Sequence, residues 1–246
     1  MDLDSFFNLT EKALAGDVFS QYELGRCFYK GIVVNQNYSL AYSWLIKAAE
    51  QGHDAAQDNI GSCYYNGEGV EKDDEKAFYW YQKAAEQGYA HAQNNLGLCY
   101  YWGIGVEQNY EKALLWHQKS AEQGNAHALF TMGCYYEHGN GVDKNYEKAL
   151  LWYHKAAELG DVNAQLNIGV FYEVGMGVEK DYEKAIYWYT KAAEQGNAQA
   201  QYYLGLCYKN GKGINQNLEK AAMWFRKAAK QGNEGAIKKL SELNMK

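Results

Sequence analysis

Apolar residues recur along this chain at helical spacing, and their stripes come in pairs. In residues 53–88, HDAAQDNIGSCYYNGEGVEKDDEKAFYWYQKAAEQG, the positions Gln57, Ile60, Gly61 and Tyr64 fall at i, i+3, i+4 and i+7. Ala77, Trp80, Tyr81 and Ala84 repeat that spacing one helix later. Each set lines one face of an amphipathic helix. The pair then returns at a fixed interval. Trp44, Trp80, Trp116, Trp152, Trp188 and Trp224 stand 36 residues apart, as do Gly25, Gly61, Gly97, Gly133, Gly169 and Gly205. A constant period of this size means one supersecondary unit copied along the chain. Such a unit cannot bury its apolar face alone, so the period predicts helix pairs stacked into one elongated core.

The polar residues between the stripes agree. Asn37, Asp73, Asn109, Asn145, Asp181 and Asn217 precede every second helix, where a side-chain oxygen can accept an orphan backbone N–H. Glu75, Glu111, Glu147, Glu183 and Glu219 follow in the first turn, which the helix dipole favours. Each second helix stops at Gly52, Gly88, Gly124, Gly160, Gly196 or Gly232, as a left-handed residue after the last turn requires. The loop within each unit reads Gly67-Glu68-Gly69-Val70 or a close copy in five of six units. Its valine, or Ile214, is expected to turn back onto the core. A phosphate cradle is the competing reading, but the loop recurs and lacks the following Lys-Ser/Thr. Ala77, Ala84 and Gly61 let helices approach, and Trp80 and Tyr64 are expected to fill the gaps. Trp→Ala at such a site then costs about 3–5 kcal/mol. Lys83 and Glu86 recur one turn apart, which predicts a ladder of surface ion pairs.

Composition narrows the function. The 246 residues are 47% apolar and carry a net charge of −6. No basic run exists to follow a nucleic-acid backbone, so no nucleic-acid partner is expected. The acidic start Met1-Asp2-Leu3-Asp4 lacks the basic and apolar segments of a signal peptide. No apolar run reaches the ~18–20 residues of a membrane span. These features predict a cytoplasmic protein without membrane insertion, or a secreted or periplasmic one if a leader has been removed. Of five cysteines, Cys27, Cys63, Cys99 and Cys207 share one slot of the unit and Cys134 stands apart. Equivalent residues on stacked helices lie about 8–10 Å apart, beyond disulfide reach, so the thiols are expected to be reduced and buried. The six histidines do not cluster, and no H-E-x-x-H, G-x-S-x-G or S-x-x-K occurs. No metal, no cofactor and no catalytic site is therefore expected.

The unit resembles the Sel-one-like repeat, a relative of the tetratricopeptide repeat. The resemblance rests on Ile60-Gly61, Tyr64, Ala77, Tyr81 and Ala84, on the G-x-G-V loop, and on the A-A-E-Q-G ending. It implies an all-α, right-handed solenoid of six 36-residue helix–turn–helix repeats: 17–52, 53–88, 89–124, 125–160, 161–196 and 197–232. Residues 1–16 and 233–246 are then capping helices, the latter solvated through Lys238, Lys239, Ser241 and Glu242. The resemblance also implies a scaffold or adaptor that binds a protein or peptide in a concave groove.

Differences between the repeats point to where such binding would occur. The slots of residues 58, 62 and 66 are four apart and form one ridge on the first helix. In the first two repeats the ridge is mostly polar: Tyr22, Arg26, Lys30, then Asp58, Ser62, Asn66. In the next four it reads Asn94, Leu98, Trp102; Phe130, Cys134, His138; Leu166, Val170, Val174; Tyr202, Leu206, Asn210, nine of twelve being apolar or aromatic. An open apolar face of that extent marks a binding surface; the alternative is that it packs against neighbouring first helices. The expected partner-binding residues are Leu98, Tyr101, Trp102, Phe130, Cys134, Glu137, His138, Leu166, Val170 and Tyr202. By resemblance, Asn59, Asn95 and Asn167 would hydrogen-bond an extended ligand, whereas Thr131 and Tyr203 depart from that pattern. Two other functions stay open: a hydrolase of the penicillin-binding or β-lactamase-like type proposed for cysteine-rich relatives, and a self-assembling structural protein.

Overall fold

The computed structural model describes residues 1–244, which contain fourteen α-helices and, among the described residues, no strand. The first compact unit, Met1–Asn125, holds α1 (Leu3–Leu14), α2 (Val18–Lys30), α3 (Tyr38–Glu50), α4 (Asp54–Asn66), α5 (Asp74–Glu86), α6 (Ala90–Trp102) and α7 (Tyr110–Glu122). The second, Ala126–Lys246, holds α8 (Ala126–His138), α9 (Tyr146–Glu158), α10 (Val162–Val174), α11 (Tyr182–Glu194), α12 (Ala198–Asn210), α13 (Leu218–Lys230) and α14 (Glu234–Asn244). Within each unit every helix packs on its neighbours in sequence, so the molecule is an all-α solenoid with terminal helices.

The helix ends form for the reasons the sequence gives. Asn37, Asp73, Asn109, Asn145, Asp181 and Asn217 each accept the N–H three residues on. Their own N–H groups donate back to the first helix of the pair, as Asp73 N does to Tyr64 O at 2.9 Å, which fixes the hairpin turn. Gly52, Gly88, Gly124, Gly160, Gly196 and Gly232 all have positive φ. The loop glycines Gly67 and Gly69 do too, both at 75°. Repeat one lacks the second glycine, and there Val33 itself takes φ 67°, a conformation costly for a β-branched residue. Val70 and Ile214 pack back on the core.

The hairpin is closed by one close approach. An added Cβ on Gly61 would lie 2.6 Å from Tyr81 Cδ1. The same seat receives Leu45 on Gly25, His117 on Gly97, Tyr153 on Gly133, Tyr189 on Gly169 and Phe225 on Gly205. All six of these second-helix residues are buried. The tryptophan one position earlier therefore does not seal the interior. Only Trp224 is buried, at 8% exposure, and the other five ladder tryptophans are half-buried. The expected 3–5 kcal/mol for Trp→Ala consequently belongs to the residue after the tryptophan. The lysines also go elsewhere than expected. Lys47, Lys119, Lys155 and Lys227 lie 4.2–4.4 Å from the ring centres of Trp44, Trp116, Trp152 and Trp224. Lys83 covers Tyr79 and Trp80, while Glu86 accepts from Gln82. The desolvated ring face competes successfully with an exposed carboxylate.

A second device is a glutamine relay that joins a buried first-helix side chain to an exposed one at the end of the second helix. Gln57 donates to Ala49 O of the preceding repeat at 3.0 Å and accepts from Gln87 at 2.7 Å. Equivalent Gln–Gln bonds join Gln51 to Gln21, Gln123 to Gln93, Gln195 to Gln165 and Gln231 to Gln201. Repeat four has leucine at both positions, Leu129 and Leu159. Replacing both partners avoids an unsatisfied buried amide. The five cysteines are free thiols, buried except for the half-buried Cys134.

Two stability measurements follow. Gly61→Ala gains about 1 kcal/mol of helix propensity, but the overpacking against Tyr81 costs about 1–3 kcal/mol; the urea midpoint is expected to fall. His117 is wholly buried, and burial lowers its pKa to about 4. The unfolded imidazole titrates near 6.5. Between those values the unfolded chain binds a proton that the fold excludes, so stability falls as pH drops through the window, by at most about 3 kcal/mol. His117→Tyr, the residue of repeats two, four and five, is expected to reduce the loss of stability between about pH 7 and about pH 4.5. An unchanged loss would assign the acid sensitivity to other groups.

Candidate functional site

The face opposite the sealed seam is built by the first helix of each pair, and its slots differ in depth. Slot 66 is outermost: Lys30, Asn66, Trp102, His138, Val174 and Asn210 are exposed, with Trp102 at 66%. Slot 62 is half-buried throughout, including Leu98, Cys134 and Val170. Slot 58 lies deepest. Asp58 and Asn94 are buried there, whereas Phe130, Leu166 and Tyr202 are half-buried. Phe130 rests against Tyr153 and Tyr202 against Phe225, with ring centres 5.5 and 5.9 Å apart. Part of the expected binding ridge is thus spent on the core of its own unit.

In the first unit, Trp102 closes a depression. Tyr65, Tyr81, Asn95, Leu98, Cys99, Trp102 and Ile104 line a cavity of about 140 Å³. Tyr101 is half-buried and stacks edge-on with Trp102, centres 4.7 Å apart. The loop residue Ile104 enters this wall because the turn after α6 folds back on the core.

A polar cluster stands beside it. Asp58 is buried and receives Asn95 Nδ2 on Oδ1 and His91 Nδ1 on Oδ2, both at 2.8 Å. The side chain of Asn95 is therefore held by Asp58, while Asn59 faces a second cavity and Asn167 is half-buried in the other unit. The Asp58 contact raises the pKa of His91 above its ordinary value. The second cavity, about 350 Å³, is lined by Tyr22, Arg26, Tyr29, Lys30, Asp58, Asn59, Tyr89 and His91. It is not legible in the sequence, because its residues come from three repeats and look merely polar in each.

In the second unit the buried tyrosines reach this face. Tyr153 Oη donates to Glu137 Oε2, and Cys134 Sγ lies 3.4 Å from the same hydroxyl. Tyr189 Oη donates to Glu173 Oε2 at 2.8 Å. These phenols cross the glycine seat, so one side chain both seals the hairpin and orients a carboxylate. Glu137 is half-buried, and the exposed His138 bonds its own helix at Cys134 O. Lys209, at the slot of Glu137, pairs with Glu242 of α14 at 3.1 Å; Lys239 joins it at 3.0 Å. Lys239 is accordingly engaged at the last helix pair and is not simply solvated. Among the described residues, no group of three or more His, Cys, Asp or Glu side chains could hold a metal ion, and no helix is long and apolar enough to cross a membrane.

These features define a class, an all-α repeat solenoid that presents its variable residues on the first-helix face. Six copies of the Sel1 repeat match residues 18–53, 54–89, 90–125, 126–161, 162–197 and 198–233. The chain belongs to the Sel1 repeat family, whose members are generally scaffolds for protein–protein interaction and typically not enzymes. It is similar to a Sel1 repeat protein from Oxalobacter formigenes, with 43% identity over 90% of this chain and 86% of that one, TM-score 0.81. It is also similar to a protective antigen of uropathogenic Escherichia coli displaying an SLR fold, with 36% identity over 97% of this chain and TM-score 0.89. The chain spans about half, 51%, of that antigen's length. An immunity protein from Pseudomonas aeruginosa shares the fold at 22% identity, covering 89% of this chain and 83% of that one, with TM-score 0.58. No curated protein matches significantly.

The Asp58–His91 contact is measurable. His91 is expected to titrate above 6.5 in a proton NMR titration, and Asp58→Asn is expected to return it toward that value. Since the folded pKa is the higher one, the contact stabilises below the unfolded pKa and is lost as pH rises through the folded one. His91 is largely exposed, so solvent screening keeps the contribution small. An unshifted His91 would mean that the pair does not persist in solution.

Proposed function

We propose that this chain is a non-enzymatic scaffold that binds a protein or peptide segment on its first-helix face. Trp102 and the cavity it closes would form the anchor in the first unit. The observation that carries this reading is the exposure of Trp102 beside a concave apolar pocket. An aromatic side chain left largely in water next to Leu98, Tyr65 and Ile104 gains most by being covered. Its slot is polar in the two preceding repeats, so stacking of the fold does not require a tryptophan there. Tyr101 would contribute from the same helix. Phe130, Cys134, Glu137, His138, Leu166, Val170 and Tyr202 would extend the role to the second unit, with Asn59, Asn95 and Asn167 as polar contacts. The hydrolase alternative would need a nucleophile such as the serine of S-x-x-K, a motif that does not occur in the sequence. The reduced thiols suit a cytoplasmic setting.

A second reading has its own support. Tyr79, Leu115, Leu151, Tyr187 and Met223 occupy one slot of successive second helices and are all exposed. Such exposed apolar residues in each unit, outside the first-helix face, would suit self-association. Light scattering that gives a concentration-independent monomer would remove it.

Trp102→Ala is expected to weaken partner binding by roughly tenfold or more while leaving helicity and the urea midpoint unchanged. Partner capture from the source organism, followed by titration of the isolated partner, provides the measurement. Leu40→Ala, an exposed leucine on α3 with no place in either reading, serves as the control. A folded Trp102→Ala protein with undiminished affinity would sink this assignment of the anchor.

A further inference from the structure

We propose that the polar cavity of the first unit receives a carboxylate, carried by the same segment whose apolar side chain covers Trp102. The second half of this statement rests on the binding role proposed above; the first half stands on the cavity alone. Its walls are α2, α4 and the start of α6, and the rings of Tyr22, Tyr29 and Tyr89 narrow it. Arg26 and Lys30 bring two permanent positive charges from one face of α2. One carboxylate, Asp58, is also in the lining, but it is buried and each of its oxygens already takes a hydrogen bond, from His91 and from Asn95. When His91 is protonated, that carboxylate is neutralised where it stands.

The other donors can be followed one by one. Tyr29 Oη is spent on Glu68 at 2.6 Å. Glu23 takes Arg26 Nη1 at 2.8 Å from the same helix, but a guanidinium offers five N–H groups in a planar fork. Its remaining donors, the Lys30 ammonium, the Asn59 amide and the Tyr22 and Tyr89 hydroxyls are the groups a ligand can address. A planar fork beside an ammonium and an amide matches a carboxylate, which accepts through two oxygens. Tyrosine walls exclude water on the flanks and strengthen those bonds. The cavity is large enough for the carboxylate and the short side chain or chain end that carries it.

Position ties the two cavities together. Asn95 lines the apolar cavity and bonds Asp58, which lines the polar one. The Asn95–Asp58–His91 cluster is thus the wall between them. A segment lying across it would present an apolar residue to Trp102 and an acidic group to Arg26 and Lys30.

Nitrogen-15 NMR of the full chain tests this with small probes. Acetyl-trialanine with a free carboxylate, its amide, and acetyl-Ala-Glu-Ala-amide are titrated separately; acetyl-leucine-amide reports on the Trp102 cavity. Saturable shifts at Arg26, Asn59 and His91 are expected with a carboxylate probe, at least about tenfold tighter than with trialanine amide. The free acid and the glutamyl peptide distinguish a chain end from a side chain as the source. Raising the salt is expected to weaken the carboxylate probes and not the amide. Arg26→Gln with Lys30→Gln is expected to abolish the carboxylate effect, whereas Trp102→Ala preserves it. Failure of acetyl-leucine-amide to shift Trp102 would count against the apolar anchor and leave the polar site standing. Equal binding of acid and amide, or no saturable shift by either carboxylate probe in the unmodified chain, would overturn the polar site.

Discussion

Everything in this molecule depends on a side chain being absent. At Gly61 and its five counterparts, the first helix offers bare backbone, and a buried side chain of the second helix fills the place a Cβ would occupy. That contact brings the two helices of a hairpin close enough for the alanines around it to pack. It also determines what reaches the other side. Tyrosine in the seat carries a hydroxyl through to the first-helix face, where Tyr81 meets Ser62, Tyr153 meets Glu137 and Tyr189 meets Glu173. Leu45 and Phe225 carry none. The seam and the first-helix face are therefore linked: choosing the residue that seals a repeat also chooses whether a carboxylate on that face is held.

The architecture was legible because it is repeated. Six copies of each cap, glycine and apolar stripe average out local exceptions, and the caps at Asn37 through Asn217 formed as their chemistry requires. Legibility failed where two neighbouring positions competed for the same role. Trp80 and Tyr81 both look like core residues, and the invariance of the tryptophan hides that the variable position beside it is the buried one. The tryptophan is constant for another reason, its flat face under a lysine one turn later. Lys83 and Glu86 likewise looked like partners because spacing alone cannot rank a ring against a carboxylate. The glutamine relay had a readable trace, the joint change to Leu129 and Leu159, which marks two residues that answer to each other.

The candidate site was legible only in part. Trp102 stands out because it breaks the register of the other tryptophans, and it does reach solvent. Asn95 matches a ligand-contacting pattern, but a buried aspartate one repeat earlier, Asp58, takes its amide. No single-repeat comparison reveals that, since the two residues occupy different slots. The polar cavity is hidden for the same reason. Repeat proteins store cores in what their copies share and sites in what adjacent copies combine, so a reading by columns finds the first and misses the second.

The shared thiol slot has a consequence of a different kind. Burial pushes the thiols of Cys63 and Cys99 up to about 12 and that of Cys207 to about 11. A thiol so protected reacts with an alkylating reagent only when its surroundings open. Because Cys27, Cys63, Cys99 and Cys207 each sit in a different repeat, their labelling rates would report four separate opening reactions along one chain. Solenoids lose cooperativity repeat by repeat. This one carries the natural probes to show where that loosening begins.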